Sequence, residues 1–136
     1  MEDFVIYEIA VKLKEKGFKE QCLAYYTKDS DFYYNTSYSS DVENAFKSFN
    51  SRPNHICGKR IDAPIISQVL KWLREEKKLF VDIGMAYNKY YVGICKTDEF
   101  DEAVGRQVIE HAIGTPSNTY EKAAIAGIEY VVDNLI

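Results

Sequence analysis

The chain has 136 residues, of which 46% are hydrophobic and 28% are charged, and its formal net charge is −4. This composition excludes a disordered or fibrous chain and suffices for a hydrophobic core of ordinary size, so a single globular domain over residues 1–136 is predicted. The acidic total argues against a generic nucleic-acid-binding protein, although it leaves room for a local basic patch.

The first third of the chain predicts a helix, a hairpin and a second, short helix. Apolar residues recur at helical spacing over residues 4–16, and Gly17 stands where a helix ends through a left-handed residue. Residues 21–27 and 31–35 read as two strands joined by turn-forming residues. A capping-box pattern then predicts a helix from Asp41 to about Phe49.

A helix that leads into a second hairpin is predicted at the centre of the chain. Asp62 is interpreted as the N-cap of a helix that extends to Glu76, with a proline in its first turn. Residues 78–83 and 90–95 alternate in the manner of strands, and Asn88-Lys89 is predicted to form the tight turn between them.

The last third contains one ambiguous segment and one clear helix. Residues 98–114 fit either a helix or a third strand beside residues 90–95, because β-branched residues and Gly105 interrupt a helical pattern. Thr119 is the predicted N-cap of a final helix, whose apolar stripe comprises Tyr120, Ala124, Ile128, Val131 and Leu135. The fold class predicted is α+β, a single antiparallel sheet built from hairpins, with three to four helices packed mostly on one face.

Tyrosine is abundant, with eleven residues that often occur as adjacent pairs. Neighbouring residues in a strand point to opposite faces, so one member of each pair is expected to be buried and the other exposed. The tyrosines are explained either by a sheet with an amphipathic aromatic face or by a protein-interaction surface. For the second interpretation the candidate residues are Tyr26, Tyr33 and Tyr90.

Basic residues gather near the ends of two predicted helices. They are candidates for contacts with the phosphates of a nucleic acid: Lys14, Lys16, Lys71, Arg74, Lys77 and Lys78. The alternative is that these side chains complement the helix dipoles and keep the surface soluble.

The segment Asn50–Ile61 has no clear periodicity and is predicted to be a long loop, a type of segment that is often functional. Its chemically versatile residues are Arg52, His55, Cys57 and Arg60. The spacings typical of zinc sites and of phosphate-binding glycine loops do not occur, so no metal and no cofactor are expected. A Cys57-dependent enzyme is a remote alternative, since no catalytic signature surrounds that cysteine.

The cellular location is predicted from what the sequence lacks. No apolar run reaches the roughly 18 residues that cross a bilayer, and the acidic start is unlike a secretory signal. Three widely spaced cysteines fit reduced thiols. A cytoplasmic protein without membrane contact is therefore expected.

Several stretches resemble segments of small, uncharacterised proteins of gut-bacterial phages and mobile elements. The stretches are Ala63–Val81, Thr119–Ala123 with Gly127-Ile128 and Asn134–Ile136, Tyr7–Ala10, and Cys22–Tyr26. The resemblance covers about half of the chain, implies an accessory protein of a phage or element, and transfers no site residues. It also favours a strand in residues 98–114.

The function predicted from the sequence is that of a non-enzymatic accessory or regulatory protein that acts through contacts with another protein, with a homodimer as one possible arrangement. A nucleic-acid-binding accessory protein that uses the lysine-rich helix ends is the alternative.

Overall fold

The computed structural model describes residues 3–34, 60–97 and 116–136, together with the backbone of residues 108–110. Within these residues the elements follow the order α1 (Tyr7–Glu15), β1 (Ala24–Tyr26), β2 (Phe32–Tyr34), β3 (Ile61–Ala63), α2 (Ile66–Glu76), β4 (Leu79–Ala86), β5 (Lys89–Lys96), β6 (Val108–Glu110) and α3 (Tyr120–Asn134). The α+β class and the antiparallel pairing are confirmed.

The strands form two sheets, β2-β1-β3 and β4-β5-β6, so the prediction of a single sheet is wrong. Hairpin signals are local, and they do not specify whether two hairpins share hydrogen bonds with each other. The chain divides into two compact units, Asp3–Ile65 and Ile66–Ile136. The helix predicted over residues 41–49 lies outside the described residues, and the single-domain organisation stays a prediction.

Helix α1 in the first unit ends in a Schellman motif. Gly17 has a φ of 93°, its N–H donates to the carbonyl of Lys14, and the N–H of Phe18 donates to the carbonyl of Leu13. These two bonds satisfy carbonyls that the end of a helix would leave open, and they turn the chain back towards α1. The apolar stripe is buried at Ile9, Ala10 and Leu13, as its spacing predicts.

Strand β3 replaces the predicted start of the central helix. Asp62 lies in β3, opposite Tyr25 of β1, and α2 begins only at Ile66, so the interpretation of Asp62 as a helix N-cap is wrong. Pro64 restricts the residue before it to extended backbone, which favours a strand at this point. The amide of Val5 also donates to the carbonyl of Pro64 at 3.0 Å.

The second unit is built on the β4–β5 hairpin, which is longer than predicted. Its two-residue turn is Tyr87-Asn88, not Asn88-Lys89, and both turn residues have positive φ, 51° and 61°. This is the backbone of a type I′ turn, whose twist matches that of the strands it joins. β6 pairs antiparallel with β5, so residues 108–110 form a strand as the resemblance favours, and the rest of that segment lies outside the described residues.

Helix α3 begins as predicted. The hydroxyl of Thr119 accepts a hydrogen bond from the amide of Lys122 at 3.2 Å, which caps the helix. Gly127 lies on the buried face of α3, close to the side chains of Val81 in β4 and Val92 in β5. The absence of a side chain at Gly127 therefore lets the helix pack closely on the sheet of the second unit.

Candidate functional site

The first unit contains a cavity of about 440 Å³ whose described lining includes three cationic side chains. Its described lining residues are Ala10, Lys14, Phe18, Lys19, Arg60 and Asp62. Helix α1 contributes the first two, the Schellman turn places the next two beside them, and β3 with the residue before it contributes the last two. We call this cavity the Arg60 pocket.

Arg60 is the most unusual residue of the pocket, because its side chain is only 3% exposed. Its guanidinium carbon lies 5.0 Å from the centre of the Tyr25 ring, a favourable cation–π distance. Its Nε lies 3.9 Å from Oδ1 of Asp62, which is too long for a hydrogen bond. Asp62 is therefore an ion-pair neighbour of Arg60 without a direct hydrogen bond between these two atoms.

Burial and nearby positive charges act on Asp62 in opposite directions. Burial raises the pKa of its carboxyl group above the ordinary value, although the positive charges of Arg60 and Lys14 act in the opposite direction. Within the described residues its Oδ1 is buried and accepts no hydrogen bond. A buried acceptor of this kind is satisfied when a bound molecule supplies an N–H or O–H group.

The charge of the pocket is opposite to that of the whole chain. The described lining has three cationic side chains and one carboxylate, a formal sum of +2, whereas the full sequence carries −4. Lys14 and Lys19 are exposed at positions where their ammonium groups meet solvent. The pocket is therefore suited to an anion, because concave cationic sites concentrate anions locally.

An aromatic row extends from the pocket across the first sheet. Tyr33 pairs with Tyr25, and Tyr25 pairs with Asp62 on its other side, so all three residues lie on one face. The rings of Tyr25 and Tyr33 are stacked, with centres 5.7 Å apart and an interplanar angle of 26°. We call Tyr33, Tyr25 and Asp62 the cross-sheet row.

Two residues that the sequence nominates for different roles thus line one pocket: Lys14 for phosphate contact and Arg60 as a loop residue. Tyr33, nominated for protein contact, stacks on Tyr25 and is not among the described lining residues. Sequence reasoning missed Asp62, since it was assigned to a helix cap. The alternation of polar Arg60 and Asp62 before Pro64 was the available signal for an extended segment with one polar face.

Other nominated residues lie away from this pocket. Tyr26 is only 8% exposed, and its hydroxyl donates to the carbonyl of Val5 at 2.7 Å. Its nomination for the interaction surface is therefore a misassignment, because the strand register buries Tyr26 and leaves its neighbour Tyr25 half-buried. Tyr90 is half-buried in the second unit, and its ring meets Tyr120 edge-to-face at 6.2 Å.

The remaining basic candidates have ordinary surface positions. Lys16 is the C-cap residue of α1. In the second unit, Lys71, Arg74 and Lys78 are exposed, and the ammonium of Lys77 lies 5.3 Å from the centre of the Trp72 ring. Arg52, His55 and Cys57 fall outside the described residues.

Thiol chemistry and metal binding have little support in the part of the chain that the structure describes. Cys22 and Cys95 are buried free thiols, and burial, with the negative charges of Asp62 and Glu20, raises the pKa of Cys22. Among residues 3–34, 60–97 and 116–136, no group of three His, Cys, Asp or Glu side chains is arranged to hold a metal ion. Over the same residues, no helix has the length and apolarity to span a membrane.

The comparisons with known proteins add no relative. The chain matches no protein-family model, no curated protein and no solved structure. Its function is therefore inferred from the Arg60 pocket itself.

Proposed function

We propose that the protein is a non-enzymatic binding protein whose first unit binds a small anionic ligand in the Arg60 pocket. The observation that carries this proposal is the guanidinium of Arg60, 3% exposed, at the lining of a cavity of about 440 Å³. A cavity of this size accommodates a small organic molecule.

Electrostatics explain why the ligand is an anion. The described lining of the pocket carries three cationic side chains and one carboxylate, and a concave site with excess positive charge concentrates anions. A phosphate, sulfate or carboxylate group in the cavity would interact with the planar donor array of Arg60, since guanidinium matches such anions in geometry. Lys14 and Lys19 add charge that attracts the ligand as it approaches.

The proposal is tested by calorimetric titration of the protein with sulfate, inorganic phosphate and citrate. Lys19 is exposed, so the folded structure is expected to tolerate Lys19→Gln, and the substitution should weaken binding several-fold. Lys28→Gln is the matched control, because Lys28 is an exposed lysine of the β1–β2 turn and does not line the pocket. Absence of binding for all three anions, or equal affinities for the two variants, would exclude the proposal.

Contacts with a protein partner, homodimerisation, contacts with nucleic acid and an origin in a phage or mobile element stay predictions. The exposed Tyr33 ring is compatible with a protein partner. Anion binding is proposed first because the described lining of a defined cavity carries an excess of positive charge.

A further inference from the structure

We propose that the Arg60 pocket selects oxyanions that carry a proton, such as hydrogen phosphate, over fully ionised oxyanions such as sulfate, and that Asp62 determines this selectivity. The inference rests on the proposed anion-binding function and specifies the chemical class of the ligand. The observation that carries it is a carboxylate in the lining of a cavity whose other described charges are positive.

Asp62 lines the same cavity as the cationic side chains. Arg60 and Asp62 are two residues apart at the start of β3, so their side chains leave the same face of the sheet. The positive charge of Lys14, on helix α1, also acts on the carboxyl group of Asp62. An anion that binds among these charges therefore lies beside the carboxylate.

The two oxygens of the Asp62 carboxylate differ in their surroundings. Oδ1 is buried and accepts no hydrogen bond from the described residues, and it lies at an ion-pair distance of 3.9 Å from Nε of Arg60. The side chain as a whole is 35% exposed. Because Oδ1 is buried, this exposure belongs to the remaining atoms, which include Oδ2. The carboxylate is therefore placed to accept a hydrogen bond from a molecule in the cavity.

A carboxylate in this position distinguishes protonated from fully ionised oxyanions. An ionised carboxylate only accepts hydrogen bonds, and phosphate at neutral pH keeps an O–H group that donates to it in a short, charge-assisted bond. Sulfate has no proton to donate at this pH, so its oxygens meet the carboxylate as like charges, which disfavours the wrong ligand. The three cations attract both anions, and Asp62 supplies the difference between them.

The test compares phosphate, arsenate and sulfate by calorimetric titration of the full chain at pH 7 and constant ionic strength. Arsenate keeps an O–H group as phosphate does, so both should bind about tenfold more tightly than sulfate, because a site that accepts a hydrogen bond rejects an analogue without the donor. Equal affinities for the three anions, or tighter binding of sulfate, would overturn the selectivity and leave anion binding intact. No binding of any of them would overturn both proposals.

Two variants assign the selectivity to a residue. Asp62→Asn keeps the shape of the side chain and removes its negative charge, so the preference for phosphate over sulfate should fall from about tenfold to about one. Asp29→Asn is the matched control, since it removes the same charge from an exposed residue of the β1–β2 turn that is not among the described lining residues, and it should keep the preference of the original chain. An unchanged preference in Asp62→Asn, or an equal loss in both variants, would contradict the role of Asp62.

Discussion

Gly127 of α3 faces Val81 of β4 so closely that a Cβ atom at Gly127 would lie 2.6 Å from Cγ1 of Val81 and 2.8 Å from Cγ1 of Val92. Real carbon atoms do not approach so closely, and both valines are short, stiff side chains with little freedom to move. The contact between helix and hairpin in the second unit therefore depends on glycine at this position.

Gly127→Ala is expected to destabilise the protein by about 1–3 kcal/mol, the usual cost of an overpacked core, even though alanine favours a helix by about 1 kcal/mol. Urea unfolding measures the change in the free energy of unfolding. Gly84→Ala is the matched control, because a Cβ at Gly84 meets nothing within 4 Å, and it should be neutral or slightly stabilising. Equal effects of the two substitutions would contradict the close packing at Gly127.

Removal of the Tyr26 hydroxyl should also lower stability. Tyr26→Phe leaves the carbonyl of Val5 without its side-chain donor in a buried position, at a cost of about 1–2 kcal/mol. Tyr33→Phe in the neighbouring strand removes a hydroxyl from a half-exposed ring and should change the free energy of unfolding by less than about 0.5 kcal/mol. If Tyr33→Phe lowered the free energy of unfolding as much as Tyr26→Phe, the hydrogen bond to Val5 would contribute no more than an exposed hydroxyl group.

The thiol of Cys22 should be inert in the folded protein. Its side chain is 0% exposed, and burial raises the pKa of the thiol, so the reactive thiolate is scarce at neutral pH. Alkylation by iodoacetamide, followed by peptide mapping, should modify Cys22 only after unfolding in urea. Equal labelling rates in the native and unfolded states would show that this position opens freely.

Anion affinity should increase as the pH falls. Burial raises the pKa of Asp62 above 3.8, so the carboxylate gains a proton at a higher pH than in the unfolded chain and no longer repels an anion. The positive charges of Arg60 and Lys14 also act on this carboxyl group, and both favour its ionised form. Sulfate is the probe, because its own charge does not change in weak acid.

The expected gain in sulfate affinity from pH 7 to a pH well below the pKa of Asp62 is about fivefold, since removal of one nearby negative charge contributes about 1 kcal/mol. Asp62→Asn should bind sulfate more tightly at pH 7 and show no such pH dependence. Protonation of Asp62 also favours the folded state, because the pKa of this carboxyl group is higher in the folded than in the unfolded chain. The stability that Asp62 contributes is therefore fully present below pH 3.8 and is lost as the pH rises through the folded pKa. A pH profile shared by Asp62→Asn and the original chain would exclude Asp62 as the titrating group.

Much of the local structure was predictable, because long amphipathic segments show a clear period of apolar residues in the sequence. The stripe of α1, the Thr119 cap and the β4–β5 hairpin follow from spacing and from capping chemistry. Strand β3 was missed because three residues are too few to show a period of two.

The Arg60 pocket was only partly predictable for a different reason. Its residues come from two parts of the chain that are far apart in sequence, and Lys14 and Arg60 line one pocket because α1 packs against β3, which pairs with β1. Such a pairing depends on the register between distant segments. The same register determines that Tyr26, and not Tyr25, is buried. The sequence named several of the right residues without showing that they share a site.

The position of the single tryptophan gives the second unit an optical signal of its own. Trp72 is 6% exposed within α2, so its fluorescence follows solvent entry into the second unit. The near-ultraviolet circular dichroism follows the aromatic rings of both units together, including the packed rings around Phe32 in the first unit. Coincident denaturation curves from the two signals would mean that the units unfold as one cooperative system, and separate curves would assign each unit its own stability.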